Sequence, residues 1–201
     1  MASRRKVFVM RRAEQLAALS GPIRWRIVEI LSVHGPSSVR QLATRIHRKP
    51  ESLYYHMRAL VDVGLVVLDS TRKVTRRTEA VYRLMAPRLV VDRKQRSRPY
   101  KEALCRSCEA FLRLTARDHR SAVERGDFAM EGMLRNLMVR RHTARLTRDG
   151  LRQLNQLLDR VGNLLDEQDN EDLSNTYAVT IVLSQLAGGL HVDSRAERLM
   201  T

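Results

Sequence analysis

Residues 38–66 read SVRQLATRIHRKPESLYYHMRALVDVGLV, and they contain two short helices joined by a basic link. Ser38, with Gln41 three residues later, forms a capping box at the start of the first helix. Pro50 leads into the second helix, which ends at Gly64. Placing residues at intervals of 100° collects the apolar side chains of the second helix on one face. That face consists of Leu53, Met57, Leu60 and Val61.

The sequence on either side extends these two helices into a larger unit. Upstream, the helical stretch from residue 13 is interrupted at Ser20-Gly21-Pro22 and stops at Gly35-Pro36. Downstream, residues 65–68 and 80–85 are β-like runs on either side of the polar, basic segment 69–79, which predicts a hairpin with a basic loop. Helices followed by a basic hairpin predict a winged helix-turn-helix over residues 13–86.

This segment resembles the ArsR-like family of bacterial winged-helix transcription regulators. The resemblance is carried, in order, by ALSGPIRWRIVEIL, SVRQLATRI, SLYYHMRALVDVGLV and AVYRLM, and it covers less than half of the chain. It implies a transcription regulator that binds DNA. The second motif helix contains no cysteine, so the cysteine-pair metal motif of some family members is absent there.

The positive charge of the chain lies in its first half. Residues 1–100 contain 22 Lys and Arg against 7 Asp and Glu, whereas residues 101–201 contain 15 of each, and the net charge is +15. A compositional habit that only served solubility would not stop at mid-chain. The distribution favours a polyanionic partner for the first half, with nucleic acid ahead of an anionic membrane.

The second motif helix, residues 50–63, is predicted to enter the major groove. Tyr55 lies almost opposite its apolar face with Ser52 nearby, and Tyr54 and Arg58 lie on one flank. Ser52, Tyr55 and Arg58 would reach base edges or nearby phosphates, with Tyr54 as a flanking contact. Arg58 could bind guanine through O6 and N7. His56 points to the other flank, so the three adjacent residues Tyr54, Tyr55 and His56 do not form a cluster. The alternative is that this face is simply solvated.

Cations around this helix are predicted to bind the DNA backbone. Residues 1–12 would form a basic N-terminal arm, and residues 69–79 a basic wing on the backbone or in the minor groove. The predicted turn and wing contacts are Arg45, Arg48, Lys49, Arg72, Lys73, Arg76 and Arg77.

The second half is predicted to be a helical or α+β dimerisation domain over residues 99–187, after a basic connector, 87–98, and before a mobile tail, 188–201. It would contain a long helix over 99–125, a strand over 138–146, a helix capped by Thr147 and reaching Gln168, and an alternating strand over 175–186. The predicted dimerisation residues are Leu104, Cys108, Phe111, Leu154, Leu158, Val161 and Leu165.

Cys105 and Cys108 form a CxxC that is expected to lie in a buried stripe with Leu104 and Phe111. A single CxxC provides two ligands where zinc usually takes four, so structural cysteines are favoured over a metal or redox site. No phosphate-binding glycine loop, nucleophile elbow or HExxH is present. We therefore expect no catalytic residues, no metal, no cofactor and no enzymatic activity.

These patterns predict a cytoplasmic, homodimeric transcription regulator that binds double-stranded DNA at a roughly palindromic operator. Two cysteines make no disulfide framework, and no run of about 20 apolar residues indicates a membrane span. The main alternative is a non-specific architectural DNA or RNA binder. An enzyme in the second half and a membrane-surface role are less favoured. Operator sequence, a small-molecule effector and the choice between repression and activation are left open.

Overall fold

The structure, a computed structural model, describes residues 6–74, 77–167 and 176–186. Four helices occupy the first part of the chain: α1 (Ala13–Ala18), α2 (Pro22–His34), α3 (Val39–Ile46) and α4 (Glu51–Asp62). The predicted break between α1 and α2 is confirmed. The capping box of α3 is also confirmed, because the Ser38 hydroxyl accepts from Gln41 N and the Ser38 amide donates to the Gln41 side chain at 2.9 Å.

Five strands form two small sheets. In the first sheet β2 (Ser37–Ser38) and β3 (Val66–Val74) both pair antiparallel with β4 (Arg77–Leu84), in the order β2-β4-β3. The second sheet has two parallel strands, β1 (Val7–Met10) and β5 (Arg88–Val91).

The predicted basic loop of the hairpin is wrong. The described residues of segment 69–79 continue the two strands, and the ladder reaches the pair Val74↔Arg77. Polarity suggested a loop here, but Thr71, Val74 and Thr78 are β-branched residues that favour extended backbone. The hairpin is therefore longer than the sequence predicted, and most of its far end is exposed.

The predicted N-terminal arm and the predicted connector each contain a strand, which the sequence did not indicate. Val7 lies opposite Arg88 and Met10 opposite Val91, and Met10 is buried. The Tyr100 hydroxyl donates to Met10 O at 2.7 Å and accepts from Asp92 N at 2.8 Å, which ties the end of this sheet to the helix that follows. Sequence reasoning missed the pairing because its two strands are about 80 residues apart.

A core of buried aliphatic side chains joins these elements. It includes Leu16 from α1, Leu19 directly after α1, Ile27 from α2, and contributions from α3, α4 and β3. Every one of the large side chains that α4 directs inward is at most 2% exposed: Leu53, Met57 and Leu60. Val61 was predicted to join them, yet it is 37% exposed. It lies at the edge of the apolar face, where α4 leaves its neighbours.

The long helix α5 (Arg98–Arg125) confirms the predicted helix over 99–125 and packs on α1 and α2. Its buried face is Tyr100, Ala103, Ser107, Ala110 and Leu114. The predicted buried stripe is wrong, since Cys105 is exposed and Cys108 only half-buried. Small residues form the buried face because they let α5 approach α2 closely, and hydrophobicity alone does not select them.

Trp25 on α2 stabilises the contact between α2 and α5. Its indole Nε1 donates to Ser107 O at 3.2 Å, and its ring meets Phe111 edge-on with centroids 5.8 Å apart. Nearby, Arg26 pairs with Glu29 at 3.0 Å and also with Asp118. Burial is the main cause of the raised pKa of Glu29, which Arg26 lowers and Asp118 raises further.

The second half contains α6 (Arg148–Glu167), and the Thr147 hydroxyl accepts from Gly150 N at 3.0 Å, as predicted for its cap. The predicted strands at 138–146 and 175–186 are wrong as far as they are described: residues 138–146 and 176–186 form no strand. Alternation creates an apolar face, but a strand also needs a hydrogen-bonded neighbour. The described residues of 99–187 therefore do not form the predicted α+β unit, and the predicted tail, 188–201, lies outside the described residues.

The described part of the chain is thus about half helical with two small sheets, an arrangement compatible with a winged helix-like fold. None of its helices is long and apolar enough to cross a membrane.

Candidate nucleic-acid interface

The outward face of α4 presents aromatic and cationic side chains to solvent. Tyr54 and Tyr55 are 57% and 72% exposed, and the Arg58 side chain is 84% exposed. Because Leu53, Met57 and Leu60 anchor the opposite face, the orientation of these three side chains is set by the core. The structure therefore places Tyr54, Tyr55 and Arg58 where a partner could contact them.

Arg58 is only weakly engaged within the chain. Its Nε lies 3.9 Å from Asp62 Oδ2, one turn later on the same exposed helix face. An exposed i,i+4 pair at this distance contributes on the order of 0.3 kcal/mol. The guanidinium is therefore free to exchange this partner for one on another molecule.

Ser52 lies in the first turn of α4, and its hydroxyl donates to Lys49 O at 2.7 Å. This bond uses the hydroxyl proton but leaves the oxygen able to accept. Ser52 is thus exposed, as predicted. Its hydrogen bond to Lys49 O also stabilises the turn that leads into α4.

His56 lies on the flank of α4, as predicted. Its ring is 5.5 Å from the Tyr55 ring, and its buried Nδ1 has no hydrogen-bond partner in the described part of the chain. Burial lowers the pKa of His56, and the positive charges of Arg24 and Arg48 lower it further. The imidazole is therefore neutral at pH 7, so His56 adds no charge to this face.

The turn between α3 and α4 carries three exposed cations, Arg45, Arg48 and Lys49. His47 ends α3 in the left-handed conformation with φ 55°, and Arg48 N donates to Ala43 O at 2.9 Å. This closed turn fixes the separation of the two helices. It places the three cations beside the N-terminal end of α4.

The cations of the hairpin lie in different environments. Arg72 pairs with Glu79 at 3.4 Å, while Lys73 is exposed. Arg77 is the first residue of β4, and Arg76 lies outside the described residues. Sequence reasoning overlooked Arg40 on α3, which contacts the same Glu79 carboxylate at 3.3 Å.

The predicted dimerisation residues do not share one environment. Phe111 is half-buried against Trp25, whereas Leu104 is 37% exposed. On α6, Leu154 and Leu158 are half-buried, and the remaining two residues are more open. Those two, Val161 and Leu165, are 37% and 46% exposed.

The CxxC does not gather further ligands among the described residues, where no group of three or more His, Cys, Asp or Glu side chains could hold a metal ion. Burial raises the pKa of the Cys108 thiol, and Cys105 and Glu109 raise it further.

Comparisons with known proteins find similarity to parts of this chain. A family model described as HVO_A0114 matches residues 21–83, less than half of the chain. No curated protein matches. Among solved structures, MarR of Staphylococcus aureus in complex with salicylate and kanamycin is 12% identical, with a TM-score of 0.27 over 72% of this chain and 73% of that chain. A TM-score this low does not establish a shared fold. Neither comparison identifies the ArsR-like family, and that resemblance stays a prediction.

Proposed function

We propose that this protein is a sequence-specific, DNA-binding transcription regulator that acts as a homodimer on a roughly palindromic operator. The observation that carries the proposal is the exposed face of α4, which presents Tyr54, Tyr55 and Arg58 to solvent, with the cations of the α3–α4 turn before it in the chain and those of the hairpin after it. This face belongs to the half of the chain that holds the whole net charge of +15.

In this proposal α3 and α4 form a helix-turn-helix, and β3 and β4 form its wing. Residues of α4 enter the major groove, where Arg58 binds guanine O6 and N7, and the tyrosyl hydroxyls bind bases or phosphates. Arg45, Arg48 and Lys49 bind phosphates on one side of the groove. The hairpin cations bind the backbone or the adjacent minor groove on the other side.

The homodimer is supported by the second half of the chain. Its described residues expose many large apolar side chains, including Leu157, Leu164 and Ile181, which are 54%, 57% and 48% exposed. Apolar surface of this extent indicates an interaction site. Because this half carries equal numbers of positive and negative residues, a second copy would meet no net repulsion there. A two-fold dimer would place its two α4 helices about 34 Å apart, one turn of DNA.

We further propose that the protein is not an enzyme and that it works in the cytoplasm. The support for the first point is that the sequence contains no phosphate-binding glycine loop, nucleophile elbow or HExxH. The second point follows from the proposed substrate, since a regulator must share a compartment with its operator.

The decisive experiment is a selection of bound genomic fragments with the purified protein. The proposal predicts an enriched motif with two-fold symmetry and half-sites about 10 base pairs apart. Enrichment without any motif would instead support a non-specific architectural binder, which shares the same charge distribution. Absence of DNA binding at low salt would overturn both.

Variants then assign roles within the motif. Arg58→Ala should lower the affinity for the selected operator by about 1–3 kcal/mol and leave the affinity for random DNA little changed, because a guanine contact is specific. Lys73→Ala should weaken binding to both and reduce the salt slope by about 1, as a phosphate contact does. Arg113→Ala, on the exposed part of α5, is the matched control and should change neither.

A further inference from the structure

The carboxylate of Glu79 connects α3 to the hairpin. Its side chain is only 12% exposed, although the preceding residue of β4, Thr78, is open to solvent. Oε1 lies 3.3 Å from Arg40 Nε, and Oε2 lies 3.4 Å from Arg72 Nη2. Each carboxylate oxygen is therefore engaged by a different guanidinium, one from α3 and one from β3.

The sheet register explains why these three residues meet. On one side of β4, Ser37 pairs with Tyr82 and Ser38 with Val81, so the chain that enters α3 runs on towards Glu79 and brings Arg40 beside it. On the other side, Arg72 is the direct cross-strand partner of Glu79. Glu79 thus lies where the first turn of α3 and the two strands of the hairpin come together.

We infer that Glu79 is a positioning residue for DNA binding, which holds the guanidiniums of Arg40 and Arg72 in place for phosphates of one backbone segment. This inference rests on the proposed function. A guanidinium has five N–H donors. Glu79 accepts one hydrogen bond from Arg72 and pairs with Arg40 through Nε alone. The Arg40 and Arg72 side chains are 54% and 45% exposed, so the other donors remain accessible. The same two bonds fix the angle between the hairpin and α3.

The opposite role would be that Glu79 masks the two arginines and weakens DNA binding. The two roles predict opposite signs for Glu79→Gln, which removes a negative charge while keeping the shape of the side chain. Loss of masking would raise the affinity and steepen the salt dependence, by about 0.9 for each additional phosphate that the freed arginines neutralise. Loss of positioning would lower the affinity although the protein has become more positive.

The experiment measures operator affinity of the full-length protein as a function of salt for wild type, Glu79→Gln, Arg40→Gln and the double variant. We expect Glu79→Gln to lose about five- to ten-fold in affinity, the size of one or two weakened backbone contacts. The double variant should lose less than the sum of the two single losses, because both changes break the same contact. Equal or tighter binding by Glu79→Gln overturns the inference.

Asp69→Asn is the matched control. Asp69 pairs with Arg83 at 3.1 Å on the same hairpin but makes no contact with α3, so its substitution should leave the affinity within about two-fold of wild type, as expected for an exposed ion pair. Thermal unfolding verifies that each variant is folded. If Glu79→Gln does not fold, Arg40→Gln decides, since it keeps the Glu79–Arg72 pair and should still lose affinity. Wild-type protein that binds no operator would refute the proposed function itself, whereas binding with no effect of Glu79→Gln or Arg40→Gln would refute only this inference.

Discussion

The two halves of this chain use their apolar side chains in opposite ways. In residues 6–125, most leucines and isoleucines of α1 to α4 are buried in one core, with Ile23 and Ile46 partly buried against it, and α5 is attached to the core by Trp25 and Tyr100. In the described residues beyond Gly126, Leu137 is buried, while Met133 and Leu134 are 98% and 91% exposed. The first half buries most of its large apolar side chains within one chain, whereas the described residues of the second half leave many of theirs exposed, as is typical of interaction surfaces.

Charge follows a similar division. Residues 1–100, which contain α1 to α4 and both sheets, carry the whole excess of Lys and Arg, whereas residues 101–201 contain 15 residues of each sign and are neutral. A strongly cationic surface repels a second copy of itself but attracts a polyanion. A neutral apolar surface does not repel a second copy of itself and does not attract a polyanion. This difference is what the proposed function requires, with DNA binding by the first half and self-association by the second.

Substitution of a core leucine should have the largest effect and sharpen this comparison. Leu60→Ala removes a side chain that is 0% exposed, and we expect a loss of about 2–5 kcal/mol in the free energy of unfolding, measured with denaturant. Leu157→Ala in the second half, 54% exposed, should cost the monomer far less. Equal losses at the two positions would show that both halves have comparable cores.

The second prediction concerns self-association. Leu164 is 57% exposed on α6, and Leu164→Glu should weaken dimerisation at least ten-fold, or about 1.4 kcal/mol, measured by analytical ultracentrifugation. A charge desolvated in an apolar interface is the physical reason. Asn163→Glu adds the same charge at the neighbouring exposed position and is the control. Unchanged sedimentation of Leu164→Glu would exclude this face as the interface.

The cap of α3 should have a smaller effect. Ser38→Ala removes the acceptor of the Gln41 amide, and we expect a loss of about 1 kcal/mol in thermal or denaturant unfolding. Ser32→Ala, an exposed serine on α2 that bonds only to Pro87 O at 3.2 Å, provides the comparison. A Ser38→Ala protein as stable as wild type would mean that β2 alone holds the start of α3.

The smallest effect should come from His56, which has a pKa lowered mainly by burial. The unfolded chain then binds more protons than the folded one below the ordinary histidine pKa of about 6.5. The stability that neutral His56 contributes above about pH 6.5 is therefore lost as the pH falls below that value. His56→Gln should flatten the stability profile between neutral and mildly acid pH, and His34→Gln, at the exposed end of α2, should follow wild type. A His56→Gln profile parallel to that of wild type would contradict this.

Much of the fold could be predicted because its signals are local. The Ser38–Gln41 box, Pro22 at the start of α2 and the spacing of Leu53, Met57 and Leu60 each depend on residues within two helical turns. The same spacing located the exposed side of α4, and with it Tyr54, Tyr55 and Arg58. These features need no knowledge of the rest of the chain.

Other features followed only from the tertiary structure. The buried face of α5 depends on the close approach of α2, so Ala103 and Ser107 are buried while Cys105 is not. The alternating residues of 176–186 have the period of a strand, but no strand in the described chain pairs with them. Hydrophobic periodicity predicts which face of a segment is apolar, but it does not predict which other segment packs against that face.

The amino-acid sequence by itself thus determined the helices of the first half, their inward faces and the location of the positive charge. Tertiary structure alone decided the β1–β5 pairing and the meeting of Arg40, Arg72 and Glu79. The physical reason is the range of the interactions involved. Caps and helical faces are formed by neighbours in sequence, whereas sheet partners and bridging ion pairs form only after distant segments have been brought together.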